Sequence, residues 1–246
     1  MSNNSFTTNH RYLGMSATLL LMGILISLVA GTYHPDHALA NDHTAAFLEY
    51  ASDATWTATH LGQFAGMVFL IAGLIVLYFA LDLPSEGAGW AGRFGVMAAV
   101  IALGLYGVLQ AVDGVALKQA VDAWAGAPEA EKAIRFASAE AIRWLEWAVR
   151  SYQSFMLGLT FILFAAAIVW TARVPRPIGY LMGISGLAYL AQGWILGTAG
   201  FSETNGVPTL LGILSVIGWS IWLLYFAWRT RESTRSPSGQ PGFAHA

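Results

Sequence analysis

Cysteine is absent from this chain of 246 residues. Disulfides, thiolate metal sites, iron–sulfur clusters and cysteine nucleophiles are thereby excluded together. Charge is also scarce: Asp, Glu, Lys and Arg make up 11% of the residues, where a soluble domain carries about 25%. The formal net charge is −2, and with no basic stripe to neutralise phosphates no nucleic-acid partner is expected. The chain has no GxSxG elbow, no HExxH pair, no GxxxxGK loop and no GxGxxG following a strand. That removes the common serine-hydrolase, zinc-protease and nucleotide-binding signatures, so no nucleotide cofactor is expected. Histidine, carboxylate and hydroxyl chemistry is what remains.

Apolar length is abundant. Hydrophobic residues make up 56% of the chain and the mean hydropathy is +0.56. A bilayer core about 30 Å thick needs roughly 20 apolar residues in a helix. Six stretches qualify, near residues 13–31, 61–81, 94–115, 147–170, 178–196 and 208–228. They lack the alternation of a barrel strand, and an open strand would leave backbone groups unpaired in lipid. The expectation is an all-α, polytopic integral membrane protein, a six-helix transmembrane bundle spanning residues 11–232, with the lipid bilayer as its partner. Glycines inside the stretches, such as Gly62, Gly66, Gly183 and Gly186, read as close-packing positions.

Basic residues set the expected orientation. With a cytoplasmic N-terminus, the inner side collects Arg11, Arg93, Arg173, Arg176, Arg229, Arg231 and Arg235, seven of the 12 Lys and Arg residues. The outer loops 34–55 and 198–207 then contain neither Lys nor Arg. The topology expected is N-in and C-in, in a cell membrane, the bacterial inner membrane. Trp90, Trp170 and Trp228 would mark the inner interface, and Trp56, Trp147 and Trp194 the outer one. Arg11, the first apolar run and Ala38-Leu39-Ala40 imitate a secretory signal, but the run is long enough to stay as a span and is expected to do so. Residues 1–10 and 233–246 are too polar to pack and are expected to be disordered tails. The outer connection 116–146 is expected to be partly helical, because Pro128 and Glu129 look like a helix start that leads into the fourth span.

Against this apolar background a polar stripe stands out. Tyr106, Gln110 and Asp113 recur at i, i+4 and i+7, and Arg143, Glu146, Arg150 and Gln153 at i, i+3, i+7 and i+10, so each set occupies one helix face. Such faces avoid lipid, where a central charge costs at least about 2.5 kcal/mol. Glu146 and Arg150 have the favourable i, i+4 order for pairing. A faint likeness between the second and third spans and the fourth and fifth is consistent with two parallel hairpins, which would set His60 opposite Arg150 and Gln110 opposite Gln192. The expected pocket, among spans two to five, contains His60, Gln63, Gln110, Asp113, Glu146, Arg150, Gln153 and Gln192.

A second feature is the run Tyr33-His34-Pro35-Asp36-His37 with Asp42 and His43. Its histidines, together with His60, form a candidate zinc or copper set: His34, His37, His43 and His60. A helical turn from Pro35 would bring His34 and His37 together. Haem is less suited, since only His60 falls inside a span. Three classes of function follow: a protein that binds or conducts a small solute or ion through the outward pocket, a membrane-embedded metal protein or enzyme, and an accessory subunit in which the polar stripe only fixes helix register. Oligomeric state is not legible.

Overall fold

The computed structural model describes residues 9–35, 37–84 and 86–235, with side chains described to residue 230. Among the described residues there are helices and no strands. Eight α-helices follow one another: α1 His10–Gly31, α2 His43–Ser52, α3 Trp56–Leu81, α4 Ala88–Ala111, α5 Lys118–Ala125, α6 Glu129–Thr171, α7 Arg176–Ala199 and α8 Gly206–Arg235. A π-helical segment, Val112–Leu117, joins α4 to α5 without a break. The all-α expectation therefore stands.

Among the described residues five segments are long and apolar enough to cross a membrane: His10–Gly31, Trp56–Leu81, Ala88–Ala125, Glu129–Thr171 and Glu203–Thr230. The protein is a helical membrane bundle. The sixth expected span, α7, has 24 residues but falls outside that set. Its apolar face is diluted by glycines and by Ser185, Gln192, Tyr180 and Tyr189, many of which the fold uses for packing.

The long helices close into a ring in chain order. α1 packs on α3, α3 on α4, α4 on α6, α6 on α7, α7 on α8, and α8 returns to α1. The first and last spans are thus as much part of the wall as the middle four. Leu13, Leu20, Leu74, Phe161, Phe164 and Trp219 are buried between the helices. The outer surface carries Leu25, Phe79, Leu187, Trp194 and Leu214, each more than half exposed, as a surface solvated by lipid requires.

Two crossings need glycine. At the α1–α3 contact a Cβ on Gly66 would collide with Ser27 Oγ and stand 2.7 Å from Gly23 O and 2.9 Å from Ser27 N. At the α6–α7 contact a Cβ on Gly158 would stand 2.8 Å from Gly186 O. Backbone cannot rotate aside, so small residues let these pairs approach.

Helix ends follow local chemistry. Asn9 caps α1 by accepting from Arg11 N and Tyr12 N, and Asp42 caps α2 by accepting from Ala45 N. Pro128 precedes α6, whose first turn holds Glu129 and Glu131, where negative charge meets the positive end of the helix. The tails expected at 1–10 and 233–246 lie mostly outside the described residues; at their inner edges Asn9 and His10 begin α1, and residues 233–235 complete α8.

A 43-residue helix such as α6 is about 65 Å long at 1.5 Å per residue. Its charged residues end at Arg150, and the stretch 151–171 has none, long enough at about 30 Å to cross the hydrocarbon. The earlier half therefore projects from the bundle. There it packs with α2 and α5 around Phe47, Tyr50, Trp56, Leu117, Val121, Trp124 and Ala139. This small aromatic cap covers the end of the bundle opposite the chain termini.

Candidate functional site

Beneath the cap the ring encloses a cavity of about 620 Å³, within the ordinary range for small-molecule sites. Its walls come from the late parts of α1 and α4, the early parts of α3 and α8 and the middle of α6, with Tyr50 from α2, Tyr189 from α7, and Ala40 and Phe201 from the loops. Adjacent spans run in opposite directions, so these parts meet at one end. The interior is divided. Ile24, Met67, Leu70, Leu157, Ile213 and Val216 form apolar wall, while Gln63, Gln110, Asp113, Arg143, Glu146 and Arg150 contribute polar groups.

Of the eight residues expected to form a pocket, Gln63, Gln110, Asp113, Glu146 and Arg150 line this cavity. His60 stands behind Asp113, and Gln153, fully buried, lies within 3.3 Å of the Arg150 guanidinium through Oε1. Gln192 faces α6 and α8: it accepts from Ser154 Oγ at 2.9 Å and donates to Thr209 Oγ1 at 2.7 Å. The walls include the first and sixth spans as well as spans two to five. The juxtapositions drawn from the two-hairpin likeness do not appear as hydrogen bonds; Gln110 donates to Gln63 at 3.4 Å, within one hairpin.

The charges pair in an order different from the simplest spacing. Glu146 accepts from Arg143, three residues earlier on α6, at 2.5 Å, and not from Arg150. Both partners are nearly inaccessible, at 3% and 2% exposure. The Arg143 guanidinium also lies 4.9 Å from the Phe201 ring and 5.5 Å from that of Tyr50, and reaches Ala40 O at 3.4 Å. It ties the projecting half of α6 to the loops over the cavity.

Asp113 belongs to the π-helical segment. Two of its carbonyls accept side-chain hydrogen bonds from α3: Trp56 Nε1 donates to Asp113 O at 2.9 Å and Thr57 Oγ1 to Gly114 O at 3.0 Å. Such bulges re-aim side chains inside helices. Gly114 allows the approach, since a Cβ there would stand 2.6 Å from His60 Cβ. Trp56, expected at the outer interface, is instead 1% exposed, because its indole N–H has this buried carbonyl to satisfy.

His60 Nδ1 lies 2.7 Å from Trp56 O and Nε2 lies 2.9 Å from Asp113 Oδ2. A carbonyl only accepts, so Nδ1 carries a proton. The contact at Nε2 then requires one more proton, held by the imidazole or by the carboxyl. In either form the pair sums to zero charge. The Arg143–Glu146 pair also sums to zero. Arg150 is left: no carboxylate of a described residue stands within 4 Å of it, and it lies 5.8 Å from the Tyr106 ring.

The histidine set divides. His34 stands beside His60, ring centroids 5.5 Å apart, and with Asp113 the three place ligand atoms within 4.8 Å of one another. His43 turns away, with Nδ1 2.9 Å from Glu140 Oε1 and its ring stacked on Phe47. His37 is exposed, and no helical turn starts at Pro35 among the described residues. Asp36 lies outside the described residues.

Tyr50, Thr209 and Phe201 were not in the expected pocket. Tyr50 sits on α2, a helix inside a loop, and Phe201 on a loop whose place over the cavity only the fold sets. The signal available for Arg143 was its position on the polar face of α6. Asp113, His34 and Arg150 thus define a membrane bundle with a covered, amphipathic cavity. Residues 15–227, which include all the cavity-lining positions, match the model of a family described as a domain of unknown function, DUF4386, and the chain belongs to that family. No curated protein matches the chain, and no solved structure matches it.

Proposed function

We propose that this protein binds a small amphiphile carrying an anionic headgroup, in a cavity that opens on the outer face of a bacterial inner membrane. The observation that carries the reading is Arg150, a guanidinium on the cavity wall whose neighbouring charges are already neutralised in pairs. A cation held in a site of low dielectric attracts an anion far more strongly than it does in water, and a guanidinium can meet a carboxylate with two parallel hydrogen bonds. The apolar wall from Ile24 to Val216 suits an alkyl or ring body. Support for the orientation comes from Lys and Arg, absent from loops 34–55 and 198–207 at the cap end, while seven of the 12 lie at the other end and five, balanced by carboxylates, in the connection 116–150.

The test uses the full chain in lipid nanodiscs, with empty nanodiscs subtracted, and compares decanoate with decanol by calorimetry. Decanoate is expected to bind at least about tenfold more tightly, the effect of one charge-assisted contact of roughly 1.5–3 kcal/mol. Arg150→Met should abolish that preference, and Arg150→Lys should keep part of it. Equal binding of the two probes by the unmodified protein would remove the proposal.

A further inference from the structure

We infer that His34, His60 and Asp113 form a binding site for a divalent transition metal of the zinc class, with one coordination position open to the cavity. The site shares the cavity with the amphiphile reading but not Arg150, and a metal titration without amphiphile tests it separately. Three observations lead to it.

First, the donors converge. His60 Nε2 and Asp113 Oδ2 are 2.9 Å apart and all three ligand atoms fall within 4.8 Å. Ligands on a tetrahedral zinc with bonds of 2.0–2.1 Å stand about 3.3 Å from one another. His60 and Asp113 already meet that spacing to within a few tenths of an ångström. The farthest pair of ligand atoms has to close by roughly 1.5 Å. His34 sits in the bend after α1, its backbone N–H donating to Gly31 O at 3.1 Å, so the approach falls to side-chain rotation.

Second, the imidazoles are oriented as ligands. Nδ1–H of His60 donates to Trp56 O, which leaves the Nε2 lone pair facing Asp113. His34 Nδ1 lies 3.1 Å from Pro35 O, and a proton there would present Nε2 to a metal. Metal-bound histidines almost always use the second ring nitrogen in this way, to fix tautomer and ring plane. Trp56, packed 4.5 Å from the His60 ring and 4.9 Å from that of His34, holds both in place.

Third, Asp113 has an oxygen to offer. Its Oδ1 is buried and has no hydrogen-bond partner among the described residues, although the residue is only 9% exposed. An unpaired buried carboxylate oxygen costs free energy that a cation would offset. The π-helical turn and Gly114 serve this placement: together they press Asp113 against His60.

Two imidazoles and one carboxylate form a donor set that zinc and ferrous iron both accept, and three protein ligands leave a position for water or a ligand oxygen. Asp113 and His34 line the cavity and His60 stands behind them, so that position faces inward.

The experiment takes the untagged full chain in detergent, stripped with chelator, and titrates it with zinc and with cobalt(II), whose visible bands report coordination by nitrogen and oxygen donors. One equivalent is expected to bind. His60→Ala, Asp113→Asn and His34→Gln should each weaken binding by at least about tenfold to a hundredfold and alter the cobalt spectrum. His37→Ala and His43→Ala should leave both unchanged. Should His60→Ala fail to fold by helical circular dichroism and size exclusion, the near-isosteric Asp113→Asn and the loop variant His34→Gln decide. Loss of the equivalent in the His37 or His43 variant, its retention in the three site variants, or no binding by the folded wild type would overturn the inference.

Discussion

Removing one half of the Arg143–Glu146 pair should be the most destabilising single-charge change in this protein. Both side chains are almost completely inaccessible, so Arg143→Met leaves Glu146 buried without its counter-charge, and Glu146→Gln leaves the guanidinium so. Breaking a buried pair on one side typically costs about 3–5 kcal/mol. For a chain of this size each kcal/mol shifts the melting temperature by roughly 2–4 °C, so each single variant should melt roughly 6–20 °C below the wild type. The double variant Arg143→Met/Glu146→Gln leaves no orphaned charge and should recover most of that loss. Arg143 also spans Phe201, Tyr50 and Ala40 O, contacts that methionine replaces only in part, so a residual deficit of about 0.5–2 kcal/mol should remain. The assay is the fraction of monodisperse protein left after stepwise heating in a mild detergent, read by size exclusion. Two results would refute the reasoning: single variants within about 2 °C of wild type, or a double variant as unstable as the two losses added together.

Gly66→Ala should cost about 1–3 kcal/mol in the same heating assay, because the new methyl meets backbone of α1 as well as the Ser27 hydroxyl, and the backbone cannot rotate aside; a neutral result would show that the α1–α3 crossing is looser than the structure has it. Gln192→Leu removes the acceptor of Ser154 and the donor to Thr209 and should cost about 1–3 kcal/mol, with melting no lower than in the Arg143 variant.

The class of the protein was readable because the bilayer acts on each segment locally. An apolar run of about 20 residues has to be a helix wherever it lies in the chain, so the spans and the polar faces of α4 and α6 appear in composition and spacing alone. The same locality explains the disagreement at α7: hydropathy measures a helix by its average, and α7 gives much of its length to glycine and to buried polar groups such as Ser185 and Gln192. Helix propensity likewise says little about where a turn widens. No breaker or repeat in Val112–Leu117 announces the wider turn, and the hydrogen bonds that Trp56 and Thr57 on another helix make to its carbonyls exist only in the fold.

The sequence by itself determined that the chain is a helical membrane bundle, which faces of its helices are polar, and that the ionisable groups on those faces lie toward one end. Tertiary structure alone decided the partners. Spacing favoured Glu146 with Arg150, yet the Glu146 side chain turns back to Arg143, whose guanidinium is held by Phe201, Tyr50 and Ala40 O, and Arg150 is left facing the cavity. Four histidines looked alike in sequence, and folding brought His34 to His60 and Asp113 while Glu140 drew His43 away. The physical reason is that charge pairing and metal geometry act over a few ångströms between elements distant in sequence. Those distances are set by the closing of the ring, in which α1 and α8 complete the wall, and local composition carries no information about it.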